Sequence, residues 1–213
     1  MPMGFGNKKE PAKSVVSEPA RDDEAPGCDA INASLKHAFP GQEPIHWGTN
    51  RLPDQDGLYG LSAYQDGDDW FFITYGLTEL FGKASDDPTT SGWGFELTMR
   101  VPATEAEPPV WPRKLLDKLG SYVFSSGRPF AAAHRFDFGE PITSGTPPSN
   151  LTCAAFAVDP QFGQIETPNG SVTFLTLVGI TADELAEMKA STTAAVIDEM
   201  VKSNPRLVSD PRR

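Results

Sequence analysis

Catalysis needs a nucleophile, a base or a metal cluster at workable spacing, and this chain offers few such groups. Glu96 is the acidic residue best placed on a regular element, in the run Phe95-Glu96-Leu97-Thr98-Met99-Arg100-Val101. It could serve as a general acid or base, yet no nucleophile is paired with it. A strand face that is solvated or salt-bridged accounts for Glu96, Thr98 and Arg100 more simply. The histidines His37, His46 and His134 are far apart in sequence, which fits isolated structural roles. An enzyme built on this chain would use Glu96 or His134 in a cleft holding both, with shifted pKa values.

The remaining motifs point away from chemistry. There is no G-x-S-x-G elbow, no H-E-x-x-H and no P-loop. Gly92-Trp93-Gly94 precedes a strand, so it presents no helix N-terminus to a phosphate. Asp54-Gln55-Asp56-Gly57 and Asp66-Gly67-Asp68-Asp69 lack the spacing and the closing Glu of a calcium loop, and read as turns. Cys28 and Cys153 have no disulfide or zinc spacing; Cys153 lies in an apolar run and reads as core, whereas Cys28 sits near a polar start. No catalytic residue, metal or cofactor is assigned. Trp93 and Trp111 read as core anchors.

The elements follow from periodicity. Ile31, Leu35 and Phe39 recur at helical spacing, and Pro40-Gly41 stops that helix. Residues 58–64 and 70–75 form strands around the turn Asp66-Gly67, the second apolar on both faces. Residues 76–81 suit one helical turn. Residues 95–101 alternate, as a half-buried strand with one wet face does. After Pro108-Pro109, the residues Trp111, Leu115, Leu119, Tyr122 and Val123 mark one helical face, with Arg113, Lys114, Asp117 and Lys118 opposite. Residues 133–138 read as a short strand whose His134-Arg135 pair would protect an exposed edge. Residues 151–158 form a tightly packed strand, and 164–166 pairs with 172–178 across Pro168-Asn169-Gly170. Thr181-Ala182-Asp183-Glu184 is a capping box flanked by Ile180 and Leu185, and a last helix covers about 192–202.

A chain of 213 residues with 38% hydrophobic and 22% charged residues fits one domain plus tails. Residues 1–26 are polar and Pro-containing and read as a disordered tail; 27–204 is the domain; 205–213 is a flexible end. The net charge of −11 argues against nucleic acid and suits a basic protein partner, or solubility alone. No apolar segment follows Lys8-Lys9 and no run is long enough to span a membrane, so a cytoplasmic location is expected.

Five blocks, in order, resemble the suppressor-of-fused family. They are residues 70–82 with Tyr75-Gly76-Leu77-Thr78-Glu79-Leu80; then Ser91-Gly92-Trp93-Gly94-Phe95-Glu96-Leu97-Thr98-Met99-Arg100; then Pro108-Pro109-Val110-Trp111-Pro112. Leu119-Gly120-Ser121-Tyr122-Val123-Phe124 follows, and last Asp159-Pro160-Gln161 with the run from Glu166 through Pro168-Asn169-Gly170 to Thr181. The resemblance covers residues 28–202. It implies a domain that grips an extended peptide as an added strand, between this domain and a second, C-terminal one. Tyr122 matches a family binding position. The family's acidic peptide-gripping residue has no counterpart, because Ala133 and His134 occupy that region. Single-domain relatives of bacterial type include candidate immunity proteins that neutralise toxins.

The expected fold is therefore α+β, a mostly antiparallel mixed sheet packed with helices. The expected function is non-catalytic protein binding, as a bacterial immunity protein that holds a basic toxin or an extended peptide. Tyr122, Phe130, Ala133, His134 and Arg135 are the candidate partner-binding residues. An enzyme using Glu96 or His134, and a structural or oligomeric module, are the alternatives.

Overall fold

Residues 24–49, 57–143 and 149–213 are described by the structure, a computed structural model. The expected disordered tail falls outside them as far as residue 23, as do the Asp-rich turn at 54–56 and the loop at 144–148. The described chain runs α1 (Pro26–Ala38), β1 (Ile45–Gly48), β2 (Gly60–Asp66), β3 (Asp69–Tyr75), β4 (Thr90–Pro102) and α2 (Val110–Ser126). Then come β5 (Arg135–Asp137), β6 (Leu151–Val158), β7 (Gln164–Thr167), β8 (Gly170–Thr181), α3 (Ala182–Ala190) and α4 (Thr193–Ser203).

These strands form one mixed sheet in the order β1-β2-β3-β4-β8-β6-β5, with β7 also on β8. Only the β4–β8 pairing is parallel among those described. The fold is α+β. Its register follows the side-chain period of two. Phe72, Phe95, Leu97, Met99, Leu175 and Leu177 pack on one face with Leu116, Leu119 and Val123 of α2. On the opposite face Phe71, Ile73 and Phe174 meet Ile31 and Leu35 of α1, and Val178 and Ile180 meet Leu185, Met188 and Val196 of α3 and α4.

Local chemistry sets the helix ends. At Thr181 both bonds of the capping box form: its hydroxyl accepts from Glu184 N at 3.2 Å, and Glu184 Oε2 accepts from Thr181 N at 2.8 Å. Gly127 ends α2 in the left-handed conformation, φ 66°, which glycine adopts without steric penalty.

The structure corrects four sequence expectations. First, the wet face of β4 is dry: Glu96, Thr98 and Arg100 are all 0% exposed. They escape the cost of burial because each finds polar partners, as buried polar groups must. Thr98 Oγ1 donates to Asp159 Oδ2 at 2.8 Å, and Arg100 pairs with Asp159 and Asp66 while lying over the Phe71 ring. Second, residues 76–81 form bends instead of a helical turn, because Glu96 takes the amides of Gly76 and Thr78. Third, the segment 205–213, expected to be flexible, is docked on the sheet. Leu207 and Ser209 are buried, Ser209 N donates to Arg100 O, and Ser209 Oγ accepts from Gly179 N. Fourth, Trp93 and Trp111 are half-buried at the rim of the α2-side core and do not lie within it.

Candidate functional site

Glu96 is held by four hydrogen bonds. Its Oε1 accepts from Gly76 N at 2.8 Å, Thr78 N at 3.0 Å and Thr78 Oγ1 at 2.7 Å, while Oε2 accepts from Thr74 Oγ1 at 2.7 Å. Full burial pushes its carboxyl up to about 7, and the hydroxyl and amide donors pull the other way. The residue ties the bend after β3 to β4 and has no exposed surface for a substrate. His134 is exposed just before β5, and β8 and β6 lie between β4, which carries Glu96, and β5. The fold does not bring Glu96 and His134 into one cleft. His46 is on the other edge of the sheet, its Nδ1 2.9 Å from Ser62 Oγ, and His37 is in the last turn of α1. Among the described residues no group of three or more His, Cys, Asp or Glu side chains is placed to hold a metal ion.

Of the expected partner-binding residues, Tyr122 and Phe130 meet in space, whereas the Arg135 side chain is held by α4. Tyr122 is half-buried on α2, with its ring 5.7 Å from Phe130 and 6.1 Å from Phe136. Phe130 stacks in turn on Phe156 of β6 at 4.4 Å. Aromatic pairs at these separations hold one another in place. Ala133 and His134 are not strand residues, as the sequence had it. They close a tight turn in which His134 N donates to Ala131 O at 3.0 Å. Ala133 takes φ 67°, a conformation that strains any residue with a Cβ.

The strand itself is β5, three residues long and last in the sheet. His134 O accepts from Phe156 N, and Phe138 N donates to Thr152 O. Strand alternation then turns the backbone N–H and C=O groups of Arg135 and Asp137 to the open side. Arg135 is fixed from the other face, where its Nη1 donates to Thr193 Oγ1 of α4 at 2.9 Å. Among the described residues β5 is thus an unpaired strand edge, flanked by an aromatic cluster. Phe136 and Asp137 belong to it and were absent from the sequence-based set. The alternation of Phe136 with Phe138 was the legible signal for the first, whereas nothing in the sequence marks the edge backbone at Asp137.

The family model described as Suppressor of fused protein (SUFU) matches residues 54–213. The chain belongs to the suppressor-of-fused family. Suppressor of fused homologs of Homo sapiens and Mus musculus are each 29% identical over 199 residues, covering 86% of this chain. The chain spans 39% of the length of these relatives. Among solved structures, a chain of the Sufu-Fu complex superposes with a TM-score of 0.80 at 29% identity, covering 90% of this chain and 92% of that one. Drosophila Suppressor of Fused gives 0.80 at 28% identity, covering 94% and 53%. A homolog from Neisseria gonorrhoeae gives 0.58 at 12% identity, over 84% and 90%, and shares the fold. Among the described residues no helix is long and apolar enough to cross a membrane.

Proposed function

We propose that this chain is a non-catalytic protein-binding domain which receives an extended segment of its partner as an added strand on β5. The observation that carries this reading is the position of β5 at the sheet edge, with the backbone of Arg135 and Asp137 turned outward beside Tyr122, Phe130 and Phe136. An added strand would gain affinity from main-chain hydrogen bonds, and selectivity from the aromatic cluster beneath it. The short, charged strand protects the edge from indiscriminate pairing until a matched partner arrives. That a similar chain has been solved in the Sufu-Fu complex supports protein binding as the general mode.

The finer reading is that of a bacterial immunity protein, which neutralises a toxin by direct binding in the cytoplasm. Its support is the resemblance to single-domain relatives and the net charge of −11, which would speed association with a basic toxin. Neutralisation of this kind needs a rigid scaffold and a complementary surface, not a catalytic group.

The test is titration of the isotope-labelled chain with the product of an adjacent toxin gene, followed by amide hydrogen exchange. Protection gained at Arg135 and Asp137, with loss of toxicity on co-expression, is the expected result. Tight binding that leaves both amides exchanging at their free rate would overturn strand addition. Toxicity that persists despite binding would overturn the immunity role.

A further inference from the structure

The β5 edge continues into a second feature. Past Phe138 lies a cavity of about 410 Å³ between α2 and the segment that leaves β5. Trp111, Leu115, Phe138 and Ile142 form its apolar wall, and Lys114 and Lys118 stand at its margin. Tyr122 packs against Phe136, while the earlier residues of α2 line the cavity together with residues beyond Phe138. So α2 runs alongside this stretch in the opposite sense, and the cavity begins where β5 ends.

The two lysines are exposed and four residues apart, one turn of helix. Among the described residues, no carboxylate lies within ion-pair distance of either. Glu140 lines the same cavity and pairs with neither. Lys83, Arg100, Lys202, Arg206, Arg212 and Arg213 have acidic partners, whereas Lys36, Arg113, Arg128, Arg135 and Lys189, like these two lysines, have none within ion-pair distance among the described residues. In a chain of net charge −11, this cavity is lined by two lysines against the single carboxylate Glu140, so its charged lining is positive on balance. Its complement is a group that offers both apolar surface and negative charge.

We infer that the segment received by β5 carries an acidic residue close to a large apolar one. The apolar side chain sits against Trp111, Phe138 and Ile142, and the carboxylate lies between Lys114 and Lys118. This inference rests on the strand-addition reading. Side chains of an added strand face α2 only at alternate positions, so the two residues must be two apart, or four. An overall basic partner is compatible with this, because surface charges further than about 8 Å away are largely screened at physiological salt.

Phage-displayed random octapeptides, selected on the full chain and on the Lys114→Glu/Lys118→Glu variant, test it. On the native chain the expected consensus has Asp or Glu two or four residues from an aromatic or branched apolar residue. On the variant the acidic position should turn to Lys or Arg, and the native consensus peptide should lose about tenfold or more in affinity. Both lysines are exposed, so the variant should melt with the native chain; a Lys114→Gln/Lys118→Gln variant of intermediate affinity separates charge from fold. Selected peptides that protect the Arg135 and Asp137 amides but show no acidic preference overturn this inference and leave strand addition standing. Acidic peptides that leave those amides unprotected overturn both. Failure of the library to yield any binder overturns the inference as well.

Discussion

Arg100 and Asp159 form an ion pair with neither side chain exposed, Nη1 lying 2.8 Å from Oδ2. The pair joins β4 to the turn that follows β6. Asp159 Oδ1 also accepts from Gln161 N and Phe162 N, and Arg100 Nη2 donates to Gln161 Oε1. One carboxylate therefore folds its own turn and locks it to the neighbouring strand. Removing one partner strands the other charge in the core. Arg100→Ala should destabilise the chain by about 3–5 kcal/mol in urea unfolding. A loss below about 1 kcal/mol, the usual range of a surface change, would contradict the burial described here.

Glu96 should make stability fall as pH rises. Its carboxyl holds the proton up to about 7 in the folded chain, against about 4.5 when exposed. Between those values the native state binds more protons than the unfolded state, so stability declines through that window and is fully present below it. A shift of this size corresponds to about 3 kcal/mol. The neutral form fits the site, because Oε1 already receives three donors and Oε2 can donate to Thr74 Oγ1. Glu96→Gln keeps that arrangement without the titration. The native chain should lose stability relative to Glu96→Gln between pH 4 and pH 8, read from paired urea melts. Parallel curves would show that Glu96 is ionised throughout.

Thr181→Ala removes the hydroxyl that accepts from Glu184 N. The expected loss is about 1 kcal/mol. Glu184 also pairs with Arg213, so Glu184→Gln tests whether the docked C-terminal end shares in the cap. A melting temperature unchanged in Thr181→Ala would mean water replaces the cap at no cost.

Ala133→Gly should stabilise the chain by about 1 kcal/mol, since glycine takes the left-handed conformation without a clash. Ala133→Pro should do the reverse. Proline fixes φ near −65° and removes the amide that donates to Phe156 O at 2.8 Å. Proline at this position therefore probes the turn and not the open edge. Thermal melts of the two variants should move in opposite directions, and a destabilised glycine variant would show that the turn is not strained.

The sequence by itself determined the elements that rest on local rules. The capping box at Thr181, the hairpin at Asp66-Gly67 and the helix marked by Leu115, Leu119 and Val123 are legible because neighbours in sequence supply the interactions. The family was legible too, since its blocks are ordered runs of aromatics and glycines. What the tertiary structure alone decided is which polar residues are inside and that β5 stands at a sheet edge among the described residues. Glu96, Thr98 and Arg100 read as a wet face because alternation cannot tell water from a buried partner: the donors to Glu96 on Thr74 and Thr78 lie 22 and 18 residues away, and Asp159 lies 61 and 59 residues away from Thr98 and Arg100. Leu207 and Ser209 look like a loose end until Arg100 O and Gly179 N are placed beside them. The candidate binding edge has the same origin. Tyr122 and Phe130 could be named from sequence, but the open backbone of β5 exists only because the strand order ends there, and pairing order is set by contacts between distant segments.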